Sequence, residues 1–579
     1  MGNFFTDNND LLFYFKHGYF QPVAEFVEQG FTDKDKFDFA PCDADDAVDS
    51  YYRVLEELGD ICANFIAPRS EEMDIEGNTY ENGEVTYSKP MQECIERLSQ
   101  ADLMGFTIPR KYGGLNFPTL LYTMAIEIES RADASLMNIF GLQGIAETIN
   151  EFACEEIKEQ FLPRFCSGEV TGSMALTEPD AGSDLQKVEV KATLRPDGQW
   201  VLNGVKRFIT NGCGAISLVL ARSEEKDKGG LGLSMFLYER DETMKIRRIE
   251  DKLGIHASPT CELQFNDSPA ILIGERRRGL VTYVMALMNG ARLGIAAQSL
   301  GIAQASYIEA RKYAASRKQF NVTIDKLPAV ADMLADMQVN IEAARALSYE
   351  SAKIVDNIKA YSKMMKNPNI SKDERIQFKR AAKKLDRLAA FLTPCSKYYC
   401  SELSVTVSSD AIQVLGGSGY MKDYPVERFF RDARITTIYE GTSQLQVVAA
   451  VRGILSGNCE KRLVDLDALD YSKTEKNLLE KLRKSRESLQ QAVADLKALN
   501  KFEVIDLHAR KLVDMAIDIY NGYLLLGQAQ LDDRKKIVAK RYILNGYHRV
   551  EMNKNLILTR ENSTVEHFDE LLGAVPEDD

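Results

Sequence analysis

The amino-acid sequence predicts a mainly α-helical protein with one β domain in its middle. Three observations lead to this prediction. Apolar residues recur at helical spacing from about residue 10 to 165, they alternate with polar residues from about 168 to 275, and helical spacing returns from Leu280 onward. A doubly wound α/β fold needs strands and helices that alternate along the whole chain, so this order excludes it.

The composition is that of a globular protein with several domains. Of the 579 residues, 45% are hydrophobic and 27% are charged, which excludes disorder over most of the length. The 72 basic and 86 acidic residues give a net charge of −14. This charge disfavours nucleic acid or an anionic membrane as the main partner, although a local basic pocket could still hold a small anion.

The cysteines, the histidines and the N-terminus carry no special signal. The ten cysteines form no C-x-x-C pair and the five histidines no H-x₃-H pair, so we expect no metal site and free thiols in a reducing compartment. The acidic N-terminus predicts neither a signal nor a transit peptide, and hence a cytoplasmic protein. No run of 18 apolar residues is present, so no membrane span is expected.

The patterns divide the chain into five segments. We expect an N-terminal extension over 1–40, an N-terminal helical domain over 41–167, a middle β domain over 168–276, a C-terminal helical bundle over 277–456 and an appended helical domain over 457–579. Gly453 and Gly457 mark the start of the last segment. The charged stretch Lys359–Arg387 predicts a solvated helical hairpin.

Within the β domain the alternation predicts a compact antiparallel sheet. We expect its strands at 188–194, 200–202, 216–221, 235–238 and 261–265. Pro196-Asp197-Gly198 predicts a tight turn between the first two, because Pro presets φ and Gly accepts a positive φ.

Two short segments of the β domain contain residues that suit a flat ligand. The loop Met174–Asp184 offers the hydroxyls of Thr177 and Ser183 together with free backbone N–H groups, which suit the edge of a polar heterocycle. Phe208 and Thr210 are expected on one strand face, where they could pack against a flavin ring. Each segment alone is also compatible with an ordinary connector or an edge strand.

Three further segments lie in the helical part. Arg317–Phe320 could clamp a pyrophosphate, and Gly416 and Gly417 allow the close approach of a cofactor or another backbone. Glu440 lies just before a predicted helix start at Thr442 or the next residue. Taken singly, these segments also fit a charged helix end, a helix C-cap and a carboxylate that complements a helix dipole.

Together and in this order, the five segments resemble the acyl-CoA dehydrogenase family of flavoenzymes over about residues 50 to 455. The matching motifs are T-E-P-x-A-G-S-D, I-T-N-G, R-x-x-F, Q-x-x-G-G-x-G and Y-E-G-T. Lys252–Glu262 and the long C-terminal tail resemble the longer bacterial members. The resemblance implies an N-terminal helical domain, a barrel-like β domain and a C-terminal four-helix bundle around FAD and the acyl thioester.

The resemblance implies FAD-dependent α,β-dehydrogenation of an acyl-CoA thioester to the trans-2-enoyl-CoA. Glu440 matches the base that removes the α-proton while a β-hydride goes to the flavin, and its backbone N–H would polarise the thioester carbonyl. The implied cofactor contacts are Met174, Leu176, Thr177, Ser183, Phe208, Thr210, Arg317, Phe320, Gln413, Gly416, Gly417, Thr442 and Gln444. The implied substrate-side residues are Ser183, Asn289, Arg292, Tyr439 and Gly441.

The family also implies two protein partners. An electron-transfer flavoprotein is expected to accept the electrons. Arg317, Phe320 and the loop 413–417 match residues that reach the FAD of a neighbouring subunit, so a homodimer is expected. Three positions depart from the usual pattern, with Phe208 for Trp, Asn321 for Gly and Asn289 for an acidic residue.

Two alternative functions remain at this point. An acyl-CoA oxidase would reoxidise its flavin with O₂, but such enzymes are usually longer and often carry a peroxisomal tail, whereas this chain ends Val575–Asp579. A catalytically silent family member would act as a binding partner. The intact motif Tyr439–Thr442 disfavours this second alternative.

Overall fold

The computed structural model describes residues 2–576 and confirms the predicted mainly helical fold with a β-rich middle domain. The chain divides into two compact units. The first unit comprises Met1–Ala331 and Leu403–Glu440, and the second comprises Asp332–Glu402 and Gly441–Asp579. Residues 577–579, the end of the predicted appended domain, lie outside the described residues.

The N-terminal part of the first unit is helical, as predicted. Its helices are α1 Asn9–Lys16, α2 Gln21–Glu28, α3 Ala44–Ile61, α4 Ser70–Glu76, α5 Lys89–Gln100, α6 Thr119–Ala132, α7 Ala134–Leu142, α8 Ile145–Phe152 and α9 Glu155–Cys166. A β-hairpin of β1 Asn78–Glu81 and β2 Glu84–Tyr87 interrupts them. The apolar pattern did not predict this hairpin, because none of its residues is fully buried.

Helix α3 illustrates how the sequence forms these helices. The Asp43 side chain accepts a hydrogen bond from the backbone N–H of Asp46 and so caps the first turn. Tyr51, Leu55 and Leu58 follow at helical spacing and are buried.

Two charged pairs, one of them fully buried, anchor the N-terminal extension to the helical domain. Arg110 donates two hydrogen bonds of 2.7 Å to the Glu28 carboxylate, and both side chains are buried. Arg131 binds Asp7 in the same bidentate way, at 2.7 and 2.8 Å. Such paired and directed charges fix α2 and the first residues of the chain in one place.

The middle domain contains seven strands whose pairings close into a ring. They are β3 Gly172–Ala175, β4 Lys191–Leu194, β5 Trp200–Thr210, β6 Ile216–Arg222, β7 Leu233–Glu239, β8 Met244–Ile249 and β9 Thr260–Ile273. The ring runs β6–β4–β5–β9–β7 and returns to β6, while β3 extends it beside β6 and β8 pairs with β9. This closure fits the barrel-like domain that was predicted.

Two details of the sheet correct the sequence analysis. The expectation of a wholly antiparallel sheet was wrong, because β3 pairs with β6 in parallel and β4 meets β6 in parallel. The first predicted strand begins at Lys191 rather than at 188, because Leu185–Lys187 form a 3₁₀ turn. The predicted turn is present, with Gly198 at a φ of +88° and Arg195 N donating to the carbonyl of Gln199 at 2.8 Å.

The first unit continues with a long apolar helix and a small hairpin. These are α10 Met285–Ser316, β10 Lys318–Gln319 and β11 Val322–Thr323. Helices α11 Pro328–Lys366 and α12 Lys372–Leu415 follow, and each lies partly in the second unit. Helix α13 Val426–Thr436 lies again in the first unit. The boundary between the units lies within α11 and α12. Helix α10 packs so closely on α6 that a Cβ on Gly301 would lie 2.5 Å from the carbonyl oxygen of Glu127.

The segment Gly279–Ser316, which includes α10, is long and apolar enough to cross a membrane by length and composition. Of its most apolar window, 44% is buried inside the protein. Helix α10 packs against α6, as a core helix does. The length and apolar composition of the segment are therefore weak evidence for a membrane span.

The second unit is helical throughout the part that the structure describes. Its later helices are α14 Ser443–Leu455, α15 Asn458–Asp467, α16 Lys476–Leu499, α17 Phe502–Gln528, α18 Asp533–Leu558, α19 Ser563–Glu566 and α20 Phe568–Leu572. One apolar core joins helices α14–α18 to the parts of α11 and α12 within this unit. Gly457, at a φ of +77°, separates α14 from α15, whereas Gly453 lies inside α14.

The charged stretch 359–387 forms the predicted solvated hairpin. Helix α11 ends at Lys366, and α12 begins at Lys372. Most side chains from Lys363 to Arg380 are exposed. The ring centroids of Tyr361 and Phe378 lie 5.8 Å apart across the hairpin.

Candidate active site

The end of β3 and the end of β5 are held together by backbone and side-chain hydrogen bonds. The backbone N–H of Arg207 donates to the Thr177 carbonyl at 3.0 Å, and Lys206 Nζ donates to the Leu176 carbonyl at 2.8 Å. Asn211 Nδ2 donates to the Gly172 carbonyl at 2.9 Å. The structure therefore brings the predicted residues around 174–177 next to those around 208–210.

A buried ion pair supports this junction. Lys206 is fully buried, and its Nζ lies 2.8 Å from a carboxylate oxygen of Glu178. Glu178 also accepts hydrogen bonds from the backbone N–H groups of Glu189 and Val190, at 2.7 and 3.0 Å. Burial lowers the pKa of Lys206 to about 8, although Glu178 opposes this shift. Sequence reasoning missed the pair because register shifts interrupt β5 on both sides of Lys206.

Phe208 lies in an irregular stretch of β5. The register against β9 shifts between Lys206 and Ile209, and Phe208 has a φ of +59°. Ile209 faces the core, whereas Phe208 is 54% exposed and Thr210 is half-buried. A left-handed backbone is uncommon for a large side chain and often marks a functional position. The irregularity directs an aromatic ring and a hydroxyl away from the β-domain core.

A buried polar network anchors Tyr439, the neighbour of Glu440. The Tyr439 hydroxyl donates to Gln298 Oε1 and lies 3.5 Å from Asn138 Oδ1. Gln298 Nε2 in turn donates to Asn138 Oδ1 at 3.1 Å and to the Ala134 carbonyl at 2.9 Å. Burial raises the pKa of Tyr439 well above its usual range, so its proton stays in place. Gln298 and Asn138 were missed by sequence reasoning, although polar residues within apolar helical runs were the available signal.

Glu440 itself has a strained backbone and faces a partly buried cation, Arg292. Its φ is +55°. Burial lowers the pKa of Arg292, and the negative charge of Glu440 opposes that effect. Arg292 Nη1 lies 3.4 Å from Asn289 Oδ1, while its Nε is buried without a hydrogen-bond partner among the described residues. A buried donor without a partner fits the acceptor of a bound ligand.

The residues that follow Glu440 belong to the second unit. The Gly441 carbonyl accepts hydrogen bonds from Lys397 Nζ at 2.8 Å and from Gln446 Nε2 at 2.9 Å. Thr442 caps α14, as predicted, by accepting from the backbone N–H of Leu445 at 3.4 Å. Gln444 is exposed in the first turn of this helix.

One of the remaining predicted cofactor residues of the first unit, Arg317, lines an open cleft. The cleft has a volume of about 490 Å³, and Ser418 and Tyr424 line it as well. Tyr313 at the end of α10 donates to Ser418 Oγ at 3.3 Å, which joins the helix end to the glycine-rich turn. Phe320 is 84% exposed beyond Arg317.

The other predicted residues near the two ligand regions are also exposed. Gln413, Gly416 and Gly417 lie at the surface on the end of α12 and the turn after it. Ser183 lies on the exposed part of the loop after Thr177.

The arrangement has the features that a flavin nucleotide and a thioester require. Phe208 and Thr210 offer an exposed aromatic face beside a hydroxyl, and Arg292 offers a buried donor close to Glu440. Arg317 offers a guanidinium in an open cleft. Among residues 2–576, no three His, Cys, Asp or Glu side chains are grouped as a metal site would need.

Four family models match successive parts of the chain. They describe the N-terminal domain of acyl-CoA dehydrogenase over residues 51–169, its middle domain over 173–268 and its C-terminal domain over 293–444. A fourth, described as acyl-CoA dehydrogenase C terminal, matches residues 456–564.

Curated relatives carry the same family name. A short-chain specific acyl-CoA dehydrogenase of Clostridium acetobutylicum is 36% identical over 61% of this chain and 87% of its own length. An acyl-CoA dehydrogenase of Bacillus subtilis is 34% identical over 69% of this chain and 96% of its own.

Solved structures share the fold. Butyryl-CoA dehydrogenase of Megasphaera elsdenii is 33% identical, with a TM-score of 0.59 over 70% of this chain and 98% of its own. A chain from a study of the electron transferring flavoprotein of Acidaminococcus fermentans is 32% identical, with a TM-score of 0.59 over 70% of this chain and 97% of its own. An acyl-CoA dehydrogenase of Bacillus anthracis complexed with FAD covers 97% of this chain and 96% of its own, with a TM-score of 0.73 and 23% identity.

Proposed function

The chain belongs to the acyl-CoA dehydrogenase family, whose members are oxidoreductases acting on acyl-CoA, and on this premise we propose that it converts a saturated acyl-CoA thioester into the trans-2-enoyl-CoA with FAD as cofactor. The single observation that carries the proposal is the structural setting of Glu440. This carboxylate follows an anchored tyrosine, has a left-handed backbone and faces the partly unpartnered guanidinium of Arg292.

The chemistry assigned to Glu440 is removal of the α-proton. Its carboxylate would accept this proton, and its backbone N–H would donate to the thioester carbonyl, which acidifies the α-carbon. Hydrogen bonds with Gln298 and Asn138 hold Tyr439, the residue before Glu440, in place. Because this part of the site is already ordered, little conformational entropy should be lost when the substrate binds. FAD, when bound, supplies the acceptor for the β-hydride.

The cofactor is proposed to lie along the exposed faces of the first unit. Phe208 and Thr210 would contact the flavin ring, and the backbone around 174–177 would bind its polar edge. Arg317 and the turn at 416–417 would bind the FAD of a second copy, because Arg317 lines an open cleft and the two glycines are exposed, which suits a cofactor held between subunits. These roles imply a homodimer.

We propose that an electron-transfer flavoprotein accepts the electrons. The support is the family itself, together with the relative from a structural study of the electron transferring flavoprotein of Acidaminococcus fermentans. A cytoplasmic location is proposed alongside it, in keeping with relatives that are named as bacterial acyl-CoA dehydrogenases. The acyl group is left for experiment, with short-chain substrates first because one relative is named as short-chain specific.

The test is anaerobic flavin bleaching with a panel of straight, branched and aryl acyl-CoAs. We expect at least one substrate to bleach the flavin and to yield one equivalent of trans-2-enoyl-CoA. In air, turnover should be slow without a mediator and fast with an electron-transfer flavoprotein or a ferrocenium acceptor. Stoichiometric peroxide at the full rate would instead identify an oxidase, and no bleaching with any substrate would identify a silent member.

A further inference from the structure

The loop between β8 and β9, residues 250–259, is held in place by two helices. The backbone N–H of Ile255 donates to Asp432 Oδ1 of α13 at 2.6 Å. On the other side, His256 Nδ1 lies 2.9 Å from Asp74 Oδ1 of α4. These contacts fix the middle of the loop against the helical part of the first unit.

The last two residues of this loop make contacts in two directions. Ser258 is fully buried, and its Oγ accepts a hydrogen bond from Asn138 Nδ2 of α7 at 3.2 Å. The carbonyl of the next residue, Pro259, accepts from the backbone N–H of Asn211 at 2.7 Å. Asn211 directly follows Thr210, one of the proposed flavin contacts. The end of the loop is therefore bonded both to a helix and to the strand end at the proposed flavin face.

The contact of Ser258 continues as a chain of hydrogen bonds to the residue before Glu440. Asn138 Oδ1 accepts from Gln298 Nε2 at 3.1 Å. Gln298 Oε1 in turn accepts from the Tyr439 hydroxyl. Three buried side chains thus connect the loop to the backbone that carries the proposed base.

The Ala134 carbonyl fixes the direction of this chain. A carbonyl only accepts, so Gln298 Nε2 must face it at 2.9 Å, and the Gln298 oxygen must face Tyr439. Gln298 Nε2 also donates to Asn138 Oδ1, which leaves the Asn138 nitrogen to face Ser258. Reversal of either amide would bring two donors or two acceptors together in the protein interior, where an unpaired polar group is costly. Each side chain therefore has one favoured orientation.

We propose that Ser258 is a positioning residue for Glu440 and that the loop 250–259 fixes the base relative to the flavin face. This inference rests on the proposed function, because it takes Glu440 as the base. Removal of the α-proton and transfer of the β-hydride use the base and the flavin on one substrate, so their spacing matters. The loop can hold this spacing because Ser258 is linked to the base and Pro259 is bonded to Asn211.

The test measures anaerobic single-turnover bleaching of the FAD-loaded enzyme with the acyl-CoA that bleaches the parent fastest. Ser258→Ala removes the acceptor of Asn138, and the rate at saturation should fall about tenfold, less than the about 10²-fold cost of a 1 Å misplacement. The half-saturating acyl-CoA concentration and the FAD content should stay within about twofold of the parent, because the contact of Pro259 remains.

Ser306→Ala is the matched control. It also removes a fully buried hydroxyl, but this hydroxyl donates to the Ile302 carbonyl within α10, at 2.9 Å, and is not part of the chain. The control should bleach at the parent rate.

A double-mutant cycle separates positioning from a general loss of structure. Tyr439→Phe removes the hydroxyl on which the chain acts, so adding Ser258→Ala to it should change the rate by less than about twofold. Gln298→Met breaks the chain at its middle and should slow bleaching as Ser258→Ala does, which keeps the test open if Ser258→Ala does not fold. The urea midpoints of the same variants, which need no substrate, should also be non-additive. Equal effects of Ser258→Ala in both backgrounds, or FAD lost along with the rate, would overturn the positioning role.

Failure of this inference looks different from failure of the proposed function. If the parent bleaches and both Ser258→Ala and Gln298→Met match its rate, the loop does not position the base, and the proposed function stands. If the parent bleaches with no acyl-CoA, the proposed function fails, and Glu440 is not a base for Ser258 to position.

Discussion

Substitution of Glu440 by Gln tests the proposed base most directly. Gln has nearly the same size and keeps the backbone N–H, and the contacts that hold Tyr439 and the Gly441 carbonyl do not involve the carboxylate. FAD and acyl-CoA should therefore bind nearly normally. The substitution removes the ability to accept the α-proton and the charge that faces Arg292.

The size of the effect follows from what is removed. A positioned general base contributes about 10²–10⁴ to the rate, which equals about 3–5 kcal/mol of transition-state stabilisation. Glu440→Gln removes the base entirely and should lose about 10⁴ in the bleaching rate. Glu440→Asp keeps a carboxylate but withdraws it by one methylene, and a misplacement of about 1 Å costs about 10²-fold.

The assay is single-turnover bleaching of the flavin in an anaerobic stopped flow with saturating substrate. Glu275→Gln serves as the matched control, because its exposed carboxylate makes only a distant ion pair of 3.7 Å with Arg278. The control should bleach at the parent rate. If Glu440→Gln bleaches within about tenfold of the parent rate, far inside the range for a lost base, then the base lies elsewhere and the reasoning fails.

Four further substitutions test the structure around the site. Lys206→Met leaves Glu178 buried without its cation and should cost about 3 kcal/mol in urea unfolding, with weaker flavin retention; an unchanged midpoint would contradict the buried pair. Gly441→Ala strains a residue at a φ of +92° and should lower stability by about 1 kcal/mol or more and slow bleaching, as thermal unfolding and stopped flow would report. Arg317→Ala should lower FAD content and dimer content together in light scattering, and a monomer with full FAD would exclude cofactor binding across subunits. Burial raises the pKa of Asp432 to about 7, so the folded protein binds this proton more tightly than the unfolded chain does. The resulting stabilisation is present at low pH and is lost as the pH rises from about 4 to 7. Asp432→Asn should remove that part of the pH profile of the free energy of unfolding.

Much of the fold followed from local patterns. The change of apolar spacing placed the β domain between two helical regions, and the Pro196–Gly198 turn and the Thr442 cap were predicted from residue types alone. Turns, caps and amphipathic faces depend on a few neighbouring residues, and so a single sequence contains them. The β1–β2 hairpin was missed because its half-exposed residues give no strong apolar signal.

The positions of the candidate site residues were predictable only as a set of motifs. The resemblance named Glu440, Phe208 and Arg292, but their surroundings depend on other parts of the chain. Gln298 reaches Tyr439 from α10, and this contact could not be inferred because spacing within one helix does not identify the partner of a buried polar group. The same limit hid the contact between Lys206 and Glu178.

Local residue chemistry and long-range pairing therefore determined different features of the fold. Residue types and their spacing were enough to predict the mainly helical class and the β-rich region in the middle of the chain, whereas Glu440 was proposed as the base from the family resemblance. The parallel pairing of β3 with β6 and the ion pair between Lys206 and Glu178 became visible only in the folded chain. Periodicity reports which side of an element is buried, whereas the register between strands depends on residues far away in the sequence, and register decides which side chains of two strands become neighbours.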